Sequence, residues 1–402
     1  MQVFRSLNYR PFAFLWSGQT ISRLGDALYQ LALAWWVIEK TGSATAMGMV
    51  LVFSFAPSIL FAILGGVLVD RLPRFRIMLV SDIARGLIVM LVAVLVSYDR
   101  LEVWHIFIAS LLFGIVDAFF QPAYTAVVPE IVKKELLPSA NSLTSASQPI
   151  AGIVGPLAAA FLISSGGTSF AFLLDSISFF VSALLLLPLL KLEPPIPAAP
   201  ARQIGMEIRS GFHIVMGSAW IWLTILLSSL GNITRGGPTY VALPFMIDQT
   251  LKGDVNDQGW VRAAMLLGSL LGALGGVRLQ QAPRRGLIAY GSMILAGAMT
   301  LWIGLAHTIY EVLVAGFVIG ACTSVFSMIW IVTLQEQVPQ HKLGRVASID
   351  YLGSLVFVPV GFAVTGWLTD LVTPPTVFIA GGLITIVIWV VGLLNKSVRE
   401  LD

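Results

Sequence analysis

Polar and charged side chains interrupt the first long apolar stretch of the sequence at regular spacing. Gln19, Arg23, Asp26 and Gln30 lie at positions i, i+4, i+7 and i+11, so they share one face of a helix. A charge at the centre of a bilayer costs about 2.5–3.5 kcal/mol on insertion scales, and intramembrane charges therefore indicate a functional site. Arg23 and Asp26, three residues apart, can pair with each other.

The fourth apolar stretch has a similar polar face, formed by Ser110, Gly114, Asp117, Gln121 and Tyr124. At similar depth, Asp117 can compete with Asp26 for Arg23. Movement of Arg23 between the two would switch one carboxyl group between its protonated and ionised forms, because burial and a nearby cation act on it in opposite directions. We expect these three residues to couple proton movement to the protein's activity. A static ion pair that fixes helix packing is the alternative.

Milder polar faces recur in the seventh and tenth apolar stretches. From the four stripes we expect these residues to line a ligand cavity: Gln19, Gln30, Gln121, Tyr124, Asn232, Arg235 and Trp330. Arg235 could instead contact an anionic group of the substrate or be a gate residue near the outer side. Other charges fit structural roles, with Asp82 and Arg85 as a pair at i,i+3 and Asp175 as a hydrogen-bonded polar residue.

The elements that position these residues are membrane-spanning helices. Hydrophobic residues make up 57% of the 402 residues and charged residues 11%, against about 25% charged in soluble domains. Each apolar run is long enough to cross a bilayer, and only helices or closed barrels satisfy the backbone there. We predict an all-α membrane protein with twelve spans, at 12–38, 46–69, 77–97, 103–128, 141–164, 168–190, 213–247, 257–280, 286–306, 311–335, 346–369 and 374–394.

Basic residues alternate between the two sides of these spans. Of the 24 lysines and arginines, seventeen fall at the N-terminus, at the C-terminus or in the loops between them that lie on the same side. Four, Lys40, Arg100, Lys252 and Arg262, fall in the opposite loops. By the positive-inside rule we expect a multi-pass protein of the cell membrane with both termini in the cytoplasm. The net charge of +3 reflects this topology and gives no reason to expect nucleic acid.

The sequence repeats itself at an offset near 210 residues. GGVLVDRLPR at 65–74 matches GGVRLQQAPR at 275–284, and VVPE at 127–130 matches QVPQ at 337–340. ISRLG at 21–25 resembles ITRGG at 233–237. We predict two six-helix halves, 1–190 and 209–402, joined by a proline-rich cytoplasmic linker at 191–208. Parallel repeats of this kind are typical of transporters with the substrate site between the halves.

GGVLVDRLPRFR, between the second and third spans, resembles the loop signature of the major facilitator superfamily. Gly66, Asp70, Arg71 and Arg74 match it, and Pro73 replaces the usual glycine. The resemblance implies that this loop gates the cytoplasmic side, whereas anchoring by the arginines alone is the alternative.

GIVGP in the fifth span, with Gly152, Gly155 and Pro156, resembles the antiporter signature of the same superfamily. The first-span sequence, TGSA at 41–44, SDIAR at 81–85 and GRVAS at 344–348 resemble the branch of drug:proton antiporters related to macrolide-efflux permeases. This implies the major facilitator fold and proton-coupled export of a small amphiphilic or drug-like molecule by alternating access. A siderophore or lysophospholipid exporter of the same fold is the alternative that the resemblance allows.

Other functional classes lack their motifs. No GK[ST] phosphate loop or HExxH zinc motif occurs, and His105, His213, His307 and His341 are scattered. We therefore expect no enzyme activity, catalytic residue, cofactor or metal. The expected partners are a small-molecule substrate, protons and the lipid bilayer, with the protein acting as a monomer.

Overall fold

The computed structural model of the protein describes residues 2–69, 71–192, 204–279, 282–399 and 401, and over these ranges it contains helices and turns but no strand. The α-helices are α1 (Arg10–Thr41), α2 (Ala44–Val69), α3 (Arg74–Ser97), α4 (Val103–Ile131), α5 (Leu137–Leu186), α6 (Ile204–Gly217), α7 (Ala219–Gly231), α8 (Leu243–Phe245), α9 (Val255–Leu279), α10 (Arg285–Leu305), α11 (Ile309–Gln337), α12 (Gln340–Leu355), α13 (Val358–Leu371), α14 (Pro374–Leu393) and α15 (Lys396–Arg399).

The all-helical fold is confirmed, but the number of spans is not. Among the described residues, nine helices are long and apolar enough to cross a membrane, or ten if one strongly bent pair counts as a span. The 32-residue α1 is not among them, and its charged residues lower its hydropathy. The count of twelve therefore stays a prediction.

Gly167 separates the fifth and sixth predicted spans inside α5. Its φ of +76° and ψ of 172° lie outside the helical region and are accessible mainly to glycine. The helix is thus interrupted at the position where the hydropathy pattern placed a short loop.

The seventh predicted span, 213–247, is not one straight helix. α6 and the helical stretch Ala219–Thr250 meet at an angle of 100° next to Ser218. Three π-helical turns follow α7 on either side of α8, at Asn232–Gly236, Pro238–Ala242 and Met246–Thr250. π-turns are rare and concentrate at functional sites, and the first of them carries Arg235.

One compact unit comprises Met1–Thr41 and Val50–Pro200. In it α1 packs along α5, and α3 packs against α4 and α5. Large apolar side chains close one end of this unit, among them Phe12, Phe75, Met78, Phe120 and Leu186. The polar residues predicted to carry the chemistry lie farther along the same helices.

The other unit comprises Gly42–Met49 and Ala201–Asp402. In it α9 packs against α11, and α10 packs against α11 and α14. The predicted halves placed residues 42–49 in the N-terminal half, whereas the structure packs them with this second unit. Of the predicted linker, 193–203 lie outside the described residues, and α6 begins at Ile204.

Asp370, in the last turn of α13, holds the start of α2 in the second unit. Its carboxylate accepts hydrogen bonds from the Ser43 hydroxyl at 2.7 Å and from the backbone N–H groups of Ala44 at 2.7 Å and Thr45 at 2.9 Å. A helix N-terminus exposes unpaired N–H groups and favours negative charge. Asp370 therefore caps a helix that is distant in the sequence.

Candidate transport site

A buried polar network connects three helical segments of the first unit. Asp82 on α3 is fully buried and accepts hydrogen bonds from Arg85 Nη2 at 2.5 Å and from Ser182 Oγ at 2.7 Å. Gln19 on α1 donates to Asp82 at 3.4 Å and to Ser182 at 2.9 Å. Buried carboxylates need such donors, since leaving one unpaired is costly. The network therefore holds Asp82 against Arg85 and satisfies its carboxylate oxygens.

Aromatic rings enclose the Arg85 guanidinium. Its Cζ lies 4.0 Å from the ring centre of Phe120, 4.7 Å from that of Phe179 and 5.8 Å from that of Phe113. Ring faces attract a cation, and the attraction grows when water is excluded. Arg85 is consequently held in one place by apolar packing as well as by Asp82.

Asp117 on α4 lies near the Arg85 guanidinium. Its Oδ1 is 3.7 Å from Arg85 Nη1, beyond hydrogen-bonding distance, and its side chain is 30% exposed. Gln121, one turn further along, donates to the same oxygen at 3.4 Å. Asp117 is therefore the carboxyl group of the cluster that reaches both Arg85 and accessible space.

Asp26 on α1 has no hydrogen bond or ion pair with any residue that the structure describes. Its charged neighbours, Arg85, Asp117, Asp82 and Arg23, act on it through space only. Asp26 thus lies within electrostatic range of the charged cluster, and its role in proton coupling stays a prediction.

Asp175, on the second part of α5, adds a fourth carboxyl group. It is fully buried and lies within electrostatic range of Asp26 and Arg85. One of its oxygens accepts a hydrogen bond from Ser178 at 3.4 Å, and the other has no partner among the described residues. Gly25 allows this approach, because a Cβ there would lie 2.4 Å from Asp175 Oδ1.

The predicted pair of Arg23 and Asp26 is not formed. Arg23 lies over the Tyr124 ring at 5.2 Å and donates to the Thr144 carbonyl oxygen at 3.3 Å. Helical side chains lean towards the N-terminus of their helix, and Arg23 thereby points away from Asp26. The cation in contact with Asp117 is Arg85, which the sequence analysis had assigned to a purely structural pair.

The predicted cavity residues divide into three groups. Gln30 and Gln121 are exposed, and Arg235 is partly buried. Gln19 and Tyr124 are buried inside the first unit. Asn232 and Trp330 form hydrogen bonds within the second unit. Asn232 donates to the Ser354 carbonyl oxygen at 2.9 Å, and Trp330 donates to the Asp350 carboxylate at 2.9 Å.

The gating loop is only partly described. Asp70 lies outside the described residues, Gly66 is in α2 and Arg71 is exposed. Arg74, at the start of α3, forms an ion pair with Glu130 near the end of α4. This contact holds two helix ends of the same unit together, and the gating role stays a prediction.

The antiporter signature lies where α5 meets α1. Gly152, Gly155 and Pro156 are all in the first part of α5. A Cβ on Gly155 would lie 2.3 Å from the Cβ of Ala27, next to Asp26. The glycine therefore sets how closely α5 approaches the charged face of α1.

Sequence reasoning missed the contributions of Arg85, Ser182 and Asp175 to one cluster. The SDIAR motif at 81–85 was the available signal, because it places an acid and a base together inside an apolar span. Which other helices approach that pair depends on packing rather than on local spacing.

The chain is similar in sequence to known membrane exporters. Residues 2–349 match the family model described as transmembrane secretion effector. Macrolide efflux protein A of Streptococcus pyogenes is 24% identical over 400 residues, covering 97% of each chain. The multidrug efflux pump Tap of Mycolicibacterium fortuitum is 29% identical over 394 residues, 94% of each chain. The enterobactin exporter EntS of Shigella boydii serotype 18 is 26% identical over 396 residues, 95% of this chain and 91% of that one.

Solved structures show the same fold. A bacterial homologue of the iron transporter ferroportin, in an inward-facing state, matches with a TM-score of 0.76 at 16% identity, over 95% of this chain and 98% of that chain. The nucleoside transporter NupG matches with a TM-score of 0.72 at 12% identity, over 96% and 99%. The chain therefore belongs to the transmembrane secretion effector family of the major facilitator superfamily and is a multi-pass membrane exporter.

Proposed function

We propose that the protein exports small amphiphilic or drug-like molecules from the cytoplasm in exchange for protons, with both termini on the cytoplasmic side. The efflux functions named for two relatives, a macrolide efflux protein and a multidrug pump, support the substrate class. The observation that carries the proton coupling is the excess of carboxyl groups over cations inside the first unit.

Four carboxyl groups, Asp26, Asp82, Asp117 and Asp175, share this interior with Arg85 and Arg23. Of the two arginines, Arg85 is the one in contact with carboxylates, and Arg23 donates to a backbone carbonyl instead. Like charges at close range in a low-dielectric interior disfavour simultaneous ionisation. The cluster can therefore bind a proton, which is the requirement for coupling.

The geometry favours a division of roles among the acids. Asp82 stays bound to Arg85 at 2.5 Å. Asp117 is partly exposed and is placed to exchange protons with water. Asp26 is attracted electrostatically by Arg85 without contacting it. Protonation of Asp26 or Asp117 removes one negative charge from the cluster. The resulting change in the attraction between α1, α3 and α4 would link the proton to a movement of these helices.

Siderophore export is the second candidate, because the enterobactin exporter EntS is among the relatives at similar identity. A growth-inhibition panel in a pump-deficient host, run beside a measurement of catecholate siderophore release, separates the two. Resistance to amphiphilic drugs supports the first proposal. Siderophore release without any change in drug resistance favours the second.

Proteoliposomes with an imposed pH gradient test the coupling, with rhodamine 123 as the transported probe and internal pH recorded together. We expect the wild type to move the dye uphill and protons in the opposite direction. Asp26→Asn should abolish uphill transport and keep exchange between equal pH values. Asp117→Asn should give a related, weaker defect. Uphill transport with proton movement in Asp26→Asn would overturn the assignment.

Asp99→Asn is the matched control. Asp99 is exposed in the loop between α3 and α4 and pairs with Lys40 at 2.6 Å. The hydrogen bond and the charge of Lys40 hold the pKa of Asp99 below its usual value. It therefore stays ionised throughout the assay, takes up no proton, and its substitution should leave coupling unchanged.

A further inference from the structure

Two arginines of the second unit, Arg262 in contact with Tyr240 and Arg235 within electrostatic range of it, have no carboxylate partner among the described residues. Arg262, on α9, lies over the Tyr240 ring with its Cζ 5.0 Å from the ring centre. Arg235, in the first π-turn after α7, acts electrostatically on the same Tyr240. Neither arginine forms an ion pair or a side-chain hydrogen bond with any described residue. The sequence analysis had placed Arg262 in an outer loop, apart from Arg235.

This cluster is open to a ligand. Tyr240 is 46% exposed. Its ring packs in a T-shaped arrangement with the ring of Phe362, and the two ring centres are 6.0 Å apart. Both arginines are partly buried, yet their nitrogens are not among the enclosed polar atoms that lack a partner. The guanidinium groups are thus partly removed from water while their donor nitrogens still reach accessible space.

The chemistry of the three side chains selects an anion. A guanidinium is always charged and offers a planar fork of donors that fits a carboxylate, sulfate or phosphate. A phenol hydroxyl adds a neutral donor. An intramembrane arginine without a protein partner is expensive to maintain and indicates a function. A ligand anion would supply the missing negative charge.

We propose that Arg235, Arg262 and Tyr240 form a receptor for the anionic group of a transported amphiphile. The inference rests on the proposed export function and adds organic anions and zwitterions to the amphiphiles that it handles. The apolar part of such a ligand would lie against the exposed Tyr240 ring, and its oxyanion would accept hydrogen bonds from the two guanidinium groups.

Binding of two xanthene dyes to the purified full-length protein tests this receptor. Fluorescein carries a carboxylate, and rhodamine 123 has a related ring framework with a positive charge. Fluorescence anisotropy should show that Arg235→Gln and Arg262→Gln each weaken fluorescein binding about tenfold or more, the loss expected for one charge-assisted hydrogen bond. Rhodamine 123 binding should stay the same or strengthen. Arg262→Lys should retain part of the fluorescein affinity.

The loop variant Arg100→Gln is the control, because it removes an equal charge from the unrelated turn after α3. Unchanged fluorescein affinity in both glutamine variants overturns the receptor, as does a wild type that binds rhodamine 123 but not fluorescein. Loss of rhodamine 123 binding would reveal that Arg235→Gln does not fold. In that case the fluorescein affinities of Arg235→Lys and Arg262→Gln test the receptor. Gradient-driven rhodamine 123 export in proteoliposomes tests the proposed function separately, so either idea can fail alone.

Discussion

At the scale of single residues, Arg85 and Arg23 show that two intramembrane arginines of one unit can have unequal importance. Arg85 is buried, paired with Asp82 at 2.5 Å and enclosed by three aromatic rings. Arg23 lies over one ring and donates to one carbonyl. Removal of one member of a buried pair leaves an uncompensated charge, which is far more costly than loss of a single cation–π contact.

Arg85→Gln should therefore destabilise the protein by about 3–5 kcal/mol, the range measured for breaking buried ion pairs. Arg23→Gln is the matched comparison and should cost about 1 kcal/mol, because it forfeits one hydrogen bond and one ring contact. Denaturant unfolding of the detergent-solubilised protein measures both. Equal losses would mean that the buried Asp82 does not depend on Arg85 for its stability.

The candidate site was only half predictable from the sequence. Asp26 and Asp117 stand out, because helical periodicity places each on a polar stripe inside an apolar run. The Arg23–Asp26 pair was wrong because spacing along a helix gives proximity of backbones, whereas the direction of a long side chain depends on neighbouring helices. Arg85 is on α3 and Asp117 is on α4, so their contact exists only because these two helices pack against each other.

At the scale of elements, the close approach of α5 to α1 depends on Gly155, which has no Cβ. A Cβ at Gly155 would lie 2.3 Å from the Cβ of Ala27, closer than two non-bonded carbon atoms can approach. The helices would have to separate, and Gly155 adjoins the part of α1 that carries Asp26. The antiporter signature therefore has a packing role close to the proposed proton site.

Gly155→Ala should destabilise the protein by about 1–3 kcal/mol, the usual cost of overpacking, and should impair proton-coupled transport. Gly291→Ala in α10 is the matched control, since nothing lies within 4 Å of a Cβ at that position. Alanine in a helix is favoured over glycine by up to about 1 kcal/mol, so this variant should be neutral or stabilised. A neutral Gly155→Ala would refute the close-packing role.

Helix breaks differ in how well the sequence reveals them. The kink at Gly167 follows from a polar, glycine-containing interruption between two apolar runs. The bend next to Ser218 and the π-turns of 232–250 were missed, because 213–247 is apolar enough on average to be taken as one span and hydropathy does not report backbone geometry. The length of that stretch was the available warning, since about 20 residues suffice to span a bilayer.

At the scale of the whole molecule, membrane topology is the expectation that the charge distribution supports most directly. A reporter fused after Leu192 should be active in the cytoplasm, and one inserted within 249–256 should be active outside. Paired reporters, one active only when external and one only when internal, measure both positions. An external signal at Leu192 would contradict the two-half arrangement with a cytoplasmic linker.

The cap that Asp370 places on α2 bears on how the protein can be dissected. Because Gly42–Met49 packs within the second unit, sequence order and spatial unit do not coincide at this helix. A fragment that starts at Ile204 would carry Asp370 but lack Ser43, Ala44 and Thr45, the three residues that bond to it. The C-terminal polypeptide alone would thus lack part of its spatial unit, and a split version of this exporter would regain the Asp370 cap only with both pieces present.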